Sequence, residues 1–299
     1  MELKYIKAPS ENGEVGPNSL NVVLIHGFGA CKEHWRKNVT KLQEISTVYA
    51  IDLVGFGDSA KPRSRLAIEP EDGKSWRYGI ESWGMQIHDF IVNKIEGPVH
   101  LIGNSIGGVV ALEAARLLEQ SNRPGAQVIL IDCAERALDD KRLAEQPPLR
   151  KWGRPLLKAV LKQRWFTRTL YTAIAKPGVI RKVLGQAYPT GSYVDDELVD
   201  LLLKPALQPG ADEAFRGFVN LFEDLLAPDL LAQIVTPVSI VWGEKDPWEP
   251  IETALLWKRY SCVRSFTKLP ELGHCPHDEG PELVNGILAN LIEAVKESC

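Results

Sequence analysis

Six short runs of apolar and β-branched residues, at positions 21–25, 47–52, 99–102, 127–131, 238–242 and 263–269, are each bounded by turn residues. Between most of them lie stretches whose apolar positions recur at helical spacing, at 33–42, 80–95, 106–119, 251–260 and 281–297. Strands that alternate with amphipathic helices predict an α/β fold, a mostly parallel central sheet flanked by helices on both faces. The helix at 106–119 stops at Ser121-Asn122-Arg123-Pro124-Gly125, where proline and glycine forbid its continuation.

The rhythm breaks once. From 135 to 233 the chain is helical in character, cut into pieces by Pro147-Pro148, Pro155, Pro177-Gly178, Pro189 and Pro205, with no run that reads as a strand. The simplest organisation is a core in two parts, 1–134 and 234–299, with a helical cap at 135–233 inserted between two core strands. The cap carries Trp152, Trp165, Phe166, Tyr171, Tyr188, Tyr193, Phe215, Phe218 and Phe222, most of them expected in its own core.

A chain of 299 residues with 44% hydrophobic and 25% charged positions has the composition of a soluble globular protein with a sizeable core. No apolar stretch approaches the ~18 residues that span a bilayer. The first 16 residues lack both the apolar core of a signal peptide and the Arg/Ser-rich character of a transit peptide. Five widely spaced cysteines, Cys31, Cys133, Cys262, Cys275 and Cys299, form no Cys-x-x-Cys pair and predict reduced thiols in a cytosol-like compartment. Net charge is −4 but unevenly spread: residues 141–190 hold twelve Lys/Arg and the single acid Glu145, an excess of +11. Such an excess can attract an anionic surface. No nucleic-acid partner is expected.

The chemistry centres on Gly103-Asn104-Ser105-Ile106-Gly107, which joins a strand pattern to a helix pattern. Glycines two positions either side of a serine at such a junction form a nucleophile elbow, a tight turn that exposes the hydroxyl. A serine is a weak nucleophile until a base takes its proton. Of six histidines, His26 comes too early in the chain and is expected to brace its loop, and His34, His88 and His100 lie within helix or strand patterns. His274, in Leu272-Gly273-His274-Cys275-Pro276 after the last strand, is the expected base, with His277 the alternative. Asp246, beyond the strand at 238–242 and stiffened by Pro247, is the expected orienting acid; Asp132 is the rival, and Asp278 is expected to pair with a loop or cap the last helix. The expected oxyanion donors are the backbone N–H groups of Phe28 and Ile106. No metal-ligand cluster stands out, and the glycine-rich turn lacks the Lys-Ser/Thr of a phosphate loop, so neither metal nor cofactor is expected.

These segments together resemble the α/β-hydrolase superfamily. His26-Gly27-Phe28-Gly29-Ala30, His34-Trp35-Arg36, Tyr49-Ala50-Ile51-Asp52-Leu53 with Gly55-Phe56-Gly57, Trp242-Gly243-Glu244-Lys245-Asp246-Pro247-Trp248-Glu249-Pro250 and Gly273-His274-Cys275-Pro276-His277-Asp278-Glu279 are similar to the cyanobacterial and chloroplast group that includes chlorophyll dephytylase and pheophytinase. The likeness covers both core segments, and the cap matches more loosely. It implies an α/β-hydrolase fold, a Ser105, Asp246 and His274 triad, and hydrolysis of a carboxylic ester through an acyl-enzyme. The implied substrate is the phytyl ester of a chlorophyll-type pigment, with Phe28, Trp248, Trp165 and Phe166 in contact with it. The implied setting is a cyanobacterial cytoplasm, or the stroma or thylakoid surface of a chloroplast. A basic cap could then rest on an anionic membrane. A general carboxylesterase or lipase for other apolar esters, and a non-catalytic receptor on the same fold, are the alternatives. Dehalogenases and epoxide hydrolases of this fold carry an aspartate where this chain has Ser105.

Overall fold

A computed structural model describes residues 2–11, 20–136, 139–145 and 148–296, and within them all side chains but those of 143–152 and 296. Seven strands form one sheet: β1 (Tyr5–Ala8), β2 (Asn21–Ile25), β3 (Thr47–Ile51), β4 (Val99–Asn104), β5 (Gln127–Ile131), β6 (Val238–Gly243) and β7 (Val263–Leu269), in the order β1-β3-β2-β4-β5-β6-β7. Every pairing from β3 to β7 is parallel. Strands β2 to β6 are buried at every residue, which is why they read as continuous apolar runs. The unexpected strand is β1, an antiparallel edge that sets Tyr5 opposite Ile51. Four residues, of which Ala8 alone is buried, carry too short an alternation to announce a strand; β3 supplies the template.

Side chains alternate across the sheet. Val23 and Ile25 of β2 face one core, shared with α2 (Ile80–Lys94) and α3 (Ile106–Gln120); Val22 and Leu24 face the other, shared with α1 (Arg36–Leu42) and the C-terminal helix (Pro281–Lys296). Val284, Leu288 and Ile292 of that last helix form an i, i+4, i+8 stripe with no exposed surface, each contributing about 1.5–3 kcal/mol by burial. The helical pattern at 33–42 begins as a 3-10 turn, Lys32–Trp35, before α1.

Between β5 and β6 run a 3-10 turn (Asp140–Glu145) and six helices: α4 (Pro148–Leu161), α5 (Arg164–Ile174), α6 (Pro177–Ala187), α7 (Asp196–Ala206), α8 (Ala211–Val219) and α9 (Ala227–Leu231). Pro148, Pro177 and Pro228 start their helices, where the missing N–H costs least, whereas Pro155 and Pro205 sit inside helices that the sequence pattern had them end. After β6 come α10 (Ile251–Leu255) with a 3-10 turn (Leu256–Arg259), then β7, α11 (Pro276–Glu279) and the last helix, α12. Among the described residues no helix is long and apolar enough to cross a membrane. Cys31, Cys133, Cys262 and Cys275 are buried, unpaired thiols; Cys299 lies outside the described residues.

The basic excess of 141–190 is not a free positive field. Lys141, Arg142, Arg164, Arg168 and Arg181 pair with Asp229, Glu135, Glu213, Asp212 and Asp196, while Arg154 and Lys158 share Asp140. All of these acids lie outside the basic stretch in sequence and are brought opposite it by folding. These pairings reduce the excess that the linear count gives.

Candidate active site

After β2 the chain turns to β3 on one side and later returns to β4 on the other, so the loops leaving the C-terminal ends of β2 and β4 diverge. Sheets of this kind bind ligands in the crevice at such a switch point. His26 to Gly29 leave β2 there, and Ser105 leaves β4 there.

Ser105 sits between β4 and α3 at φ 55°, ψ −125°, a backbone strained for a residue with a side chain. Its carbonyl accepts from Gly108 and Ala134 N–H at 3.0 Å, and its own N–H donates to Ile131 O at 3.0 Å, so the sheet holds the turn. The flanking glycines answer to close approach: a Cβ on Gly103 would stand 2.2 Å from Gly107 O, and one on Gly107 2.3 Å from Ile25 O.

His274 follows β7. Its Nδ1 lies 2.7 Å from Asp246 Oδ2, and Asp246 Oδ1 accepts from the N–H groups of Trp248 (2.8 Å) and Glu249 (3.1 Å). With Asp246 the acceptor, His274 Nδ1 carries the proton and Nε2 presents a lone pair. Ser105 and His274 line one cavity of about 390 Å³. Ser105 Oγ makes no hydrogen bond to His274 among the described residues; the two groups share the cavity wall. Catalytic hydrogen bonds are often long before substrate arrives. Phe28 lines the same cavity, Ile106 opens α3 beside Ser105, and the N–H of neither donates to a protein acceptor among the described residues.

The loop that carries His274 is tied down from three sides. Asn104, the residue before Ser105, donates from Nδ2 to His274 O (2.9 Å) and Ile131 O (3.2 Å), joining the Ser105 turn to the His274 loop. The His274 N–H donates to Ala187 O at 2.9 Å, and Gly273 N–H to Glu279 Oε2 at 2.7 Å. Asp278 is buried and pairs with Arg36 while accepting from Tyr188 OH at 3.0 Å. His277 is fully buried against Trp35 (centroids 4.2 Å) and His34 (4.8 Å), away from the cavity lining, and burial drives its pKa well below the usual histidine range. His26 accepts from Leu53 N–H at Nε2 (3.1 Å) and donates from Nδ1 to Gly27 O (2.7 Å), bracing the loop that carries Phe28.

Replacing Asn104 with alanine removes both ties and leaves the His274 carbonyl short of a donor in a buried place. A drop of about tenfold in kcat is expected, since small misplacements of a reacting group cost that and more. Steady-state kinetics on a chromogenic ester check it; an unchanged kcat rejects the tie.

The cavity walls are apolar, with Ile174, Ile180, Leu184, Leu202 and Phe215 contributed by α5 to α8. Phe28 is 38% exposed and stacks on Phe218 at 3.7 Å; Trp248 is 42% exposed and meets the His274 ring edge-on at 4.8 Å. Both line the cavity. Trp165 and Phe166, expected in contact with substrate, are absent from its lining, and Trp165 is 69% exposed. On α5 the cavity is met by Tyr171 and Ile174. At 3.6 residues per turn Trp165 is half a turn from Ile174, a phase that the sequence does not reveal without knowing which face docks.

Two polar residues of the wall lie in the family-like segments, with no role assigned to them from the sequence. His34, expected to be an ordinary core or surface residue, lines the cavity; its Nε2 lies 2.7 Å from Tyr188 OH, and burial lowers its pKa to about 4. Since Tyr188 donates to Asp278, it accepts from His34 Nε2–H. Glu249 is the one carboxyl in the lining among the described residues, raised to about 8 by burial and then by repulsion from Glu135 and Asp246. Among the described residues no cluster of three His, Cys, Asp or Glu is arranged to hold a metal ion.

Against known proteins, the sequence profile of the alpha/beta hydrolase family matches residues 22–287. The chloroplastic pheophytinase of Arabidopsis thaliana is 25% identical over 98% of this chain, which spans 64% of that protein's length. Lipase 1 of Psychrobacter immobilis is 23% identical over 89% of this chain and 74% of its own. Among solved structures, a serine hydrolase involved in carbazole degradation superposes with a TM-score of 0.72 at 19% identity, covering 98% of this chain and 95% of that one.

Proposed function

The chain belongs to the alpha/beta hydrolase family, and on that premise we propose that it is a serine carboxylic ester hydrolase with Ser105 as nucleophile, His274 as base and Asp246 as orienting acid. The observation that carries this reading is the His274 Nδ1–Asp246 contact of 2.7 Å, which leaves the other face of the imidazole free in the cavity that Ser105 lines. Ser105 Oγ attacks the ester carbonyl as His274 Nε2 takes its proton. The N–H groups of Phe28 and Ile106 receive the oxyanion, worth about 2.7–4 kcal/mol per donor. Collapse expels the alcohol, protonated by His274, and leaves an acyl-enzyme. His274 then deprotonates water, which releases the acid and restores Ser105.

Residues 135–233 act as the cap over this site and supply the apolar wall. Apolar walls with few polar groups suit an ester with a long hydrocarbon arm. Within that class the phytyl ester of a chlorophyll-type pigment is the leading substrate, supported by the likeness to pheophytinase. The likeness to a lipase favours a second reading, other apolar esters of comparable length. Incubation with chlorophyll a, pheophytin a and a series of p-nitrophenyl esters separates them. Release of phytol with chlorophyllide or pheophorbide is expected; turnover of the p-nitrophenyl esters with no pigment product selects the lipase-type reading.

A further inference from the structure

Asp132 closes β5 at φ 42°, a left-handed conformation that Asp and Asn adopt more readily than most residues. Its carboxyl is fully buried. Oδ1 accepts from Gly243 N–H at 2.9 Å, whereas Oδ2 is sealed from solvent and meets no N–H or O–H donor. Gly243 sets it beside Asp246: the residue whose N–H donates to Asp132 Oδ1 also accepts from Asp246 N–H at 3.2 Å, and the Asp246 carboxyl acts on Asp132 both through its charge and through a side-chain hydrogen bond.

Two carboxylates in contact in a dry site cannot both be ionised. The number of donors decides which keeps the charge. Asp246 accepts from three, Trp248 N–H, Glu249 N–H and His274 Nδ1–H, while Asp132 accepts from Gly243 N–H alone. The other titratable groups around Asp132 are Glu249, Cys133 and Cys275, with Glu135 and His274 beyond them. Glu249 and Glu135 are themselves pushed up by burial, to about 8 and about 7, and both thiols are pushed up as well; of the cations around this cluster, Arg142 is paired with Glu135 at 3.5 Å and His274 Nδ1 lies on Asp246. We infer that Asp132 is a neutral carboxylic acid whose Oδ2–H donates to Asp246, a positioning residue that fixes the carboxylate in line with His274 Nδ1. Burial, then the charge of Asp246, raises the Asp132 pKa in agreement with this. The inference rests on the triad reading given above, in which Asp246 orients His274.

Asparagine reproduces this state: it keeps the backbone, its oxygen can accept from Gly243 N–H, and its NH₂ can donate to Asp246. Glycine keeps the backbone and donates nothing. Asp132→Asn is therefore expected to hold kcat within about threefold of the parent. Asp132→Gly should lower kcat about tenfold or more with KM little changed, because Asp132 does not touch substrate. Two measurements do not depend on turnover. The infrared spectrum at neutral pH should lose one protonated-carboxyl band in Asp132→Asn. Thermal melting should show Asp132→Asn gaining on the parent as pH rises from about 4 to neutrality. The sign follows from linkage: the unfolded parent releases the Asp132 proton near its ordinary pKa of about 3.9 while the fold retains it, so rising pH favours the unfolded parent. An Asn variant as impaired as the Gly variant, or an unchanged infrared spectrum, overturns the inference. Full activity in Asp246→Asn would instead remove the triad reading, and the infrared band would still decide where the proton sits.

Discussion

Ser105→Ala is expected to abolish ester hydrolysis, lowering kcat by on the order of 10⁴ to 10⁶ while the protein folds as before. The substitution removes one oxygen from a turn whose conformation is held by other groups: the Ser105 N–H to Ile131 O, its carbonyl under Gly108 and Ala134 N–H, and glycines packed against β2. Alanine occupies the same strained backbone. The N–H groups of Phe28 and Ile106 remain, so a residue of rate above the uncatalysed reaction should survive. A fluorophosphonate probe should label the parent and leave Ser105→Ala unlabelled, with circular dichroism of the two alike. An alanine variant that hydrolyses esters at the parent's rate rejects Ser105 as nucleophile.

The second large effect is at Asp246. Asparagine there has two orientations, and the structure decides between them. Two backbone N–H donors, from Trp248 and Glu249, point at Oδ1, so the amide oxygen must face them and the NH₂ must face His274 Nδ1. The histidine then accepts at Nδ1 and carries its proton on Nε2, the wrong tautomer for taking a proton from Ser105. A loss of about 10⁴ in kcat follows, as for other triads in which the acid becomes an amide. Measured kcat for Asp246→Asn should fall far below that for Asp132→Asn; the reverse ranking would reassign the orienting acid to the end of β5. The contrast is sharp because the same substitution mimics the proposed protonated state at 132 and defeats the ionised state at 246.

The parts of the site that were readable in the chain are those whose chemistry is local. Gly103 and Gly107 around Ser105 signal a turn because the constraint acts over a few residues, and a glycine and a proline around His274 mark a loop for the same reason. The six strands expected from their apolar runs all lie in the sheet, since strands buried on both faces must be apolar throughout. The short edge strand at Tyr5–Ala8 escaped because its stability comes from pairing with β3.

Other features depend on residues far apart in sequence. The phase of α5 puts Tyr171 and Ile174 on the cavity and turns Trp165 outward, although all are large apolar or aromatic side chains on one helix. Seven of the cations in the basic stretch at 141–190 meet acids from outside it, which folding brings opposite them. Asn104 reads as one more elbow residue until its side chain is seen on the carbonyl of His274. Asp132 and Asp246 look like rival candidates for one role, and the two roles proposed for them follow from where folding puts them, Asp132 on Gly243 N–H and Asp246 on His274 Nδ1. The fold class and the tight turn at Ser105 were legible in the chain alone, because backbone conformation and strand burial are dictated by residues within a few positions. Only the tertiary structure reveals which side chains wall the cavity and which carboxyl lies on His274, because burial and contacts depend on neighbours that the linear order does not show.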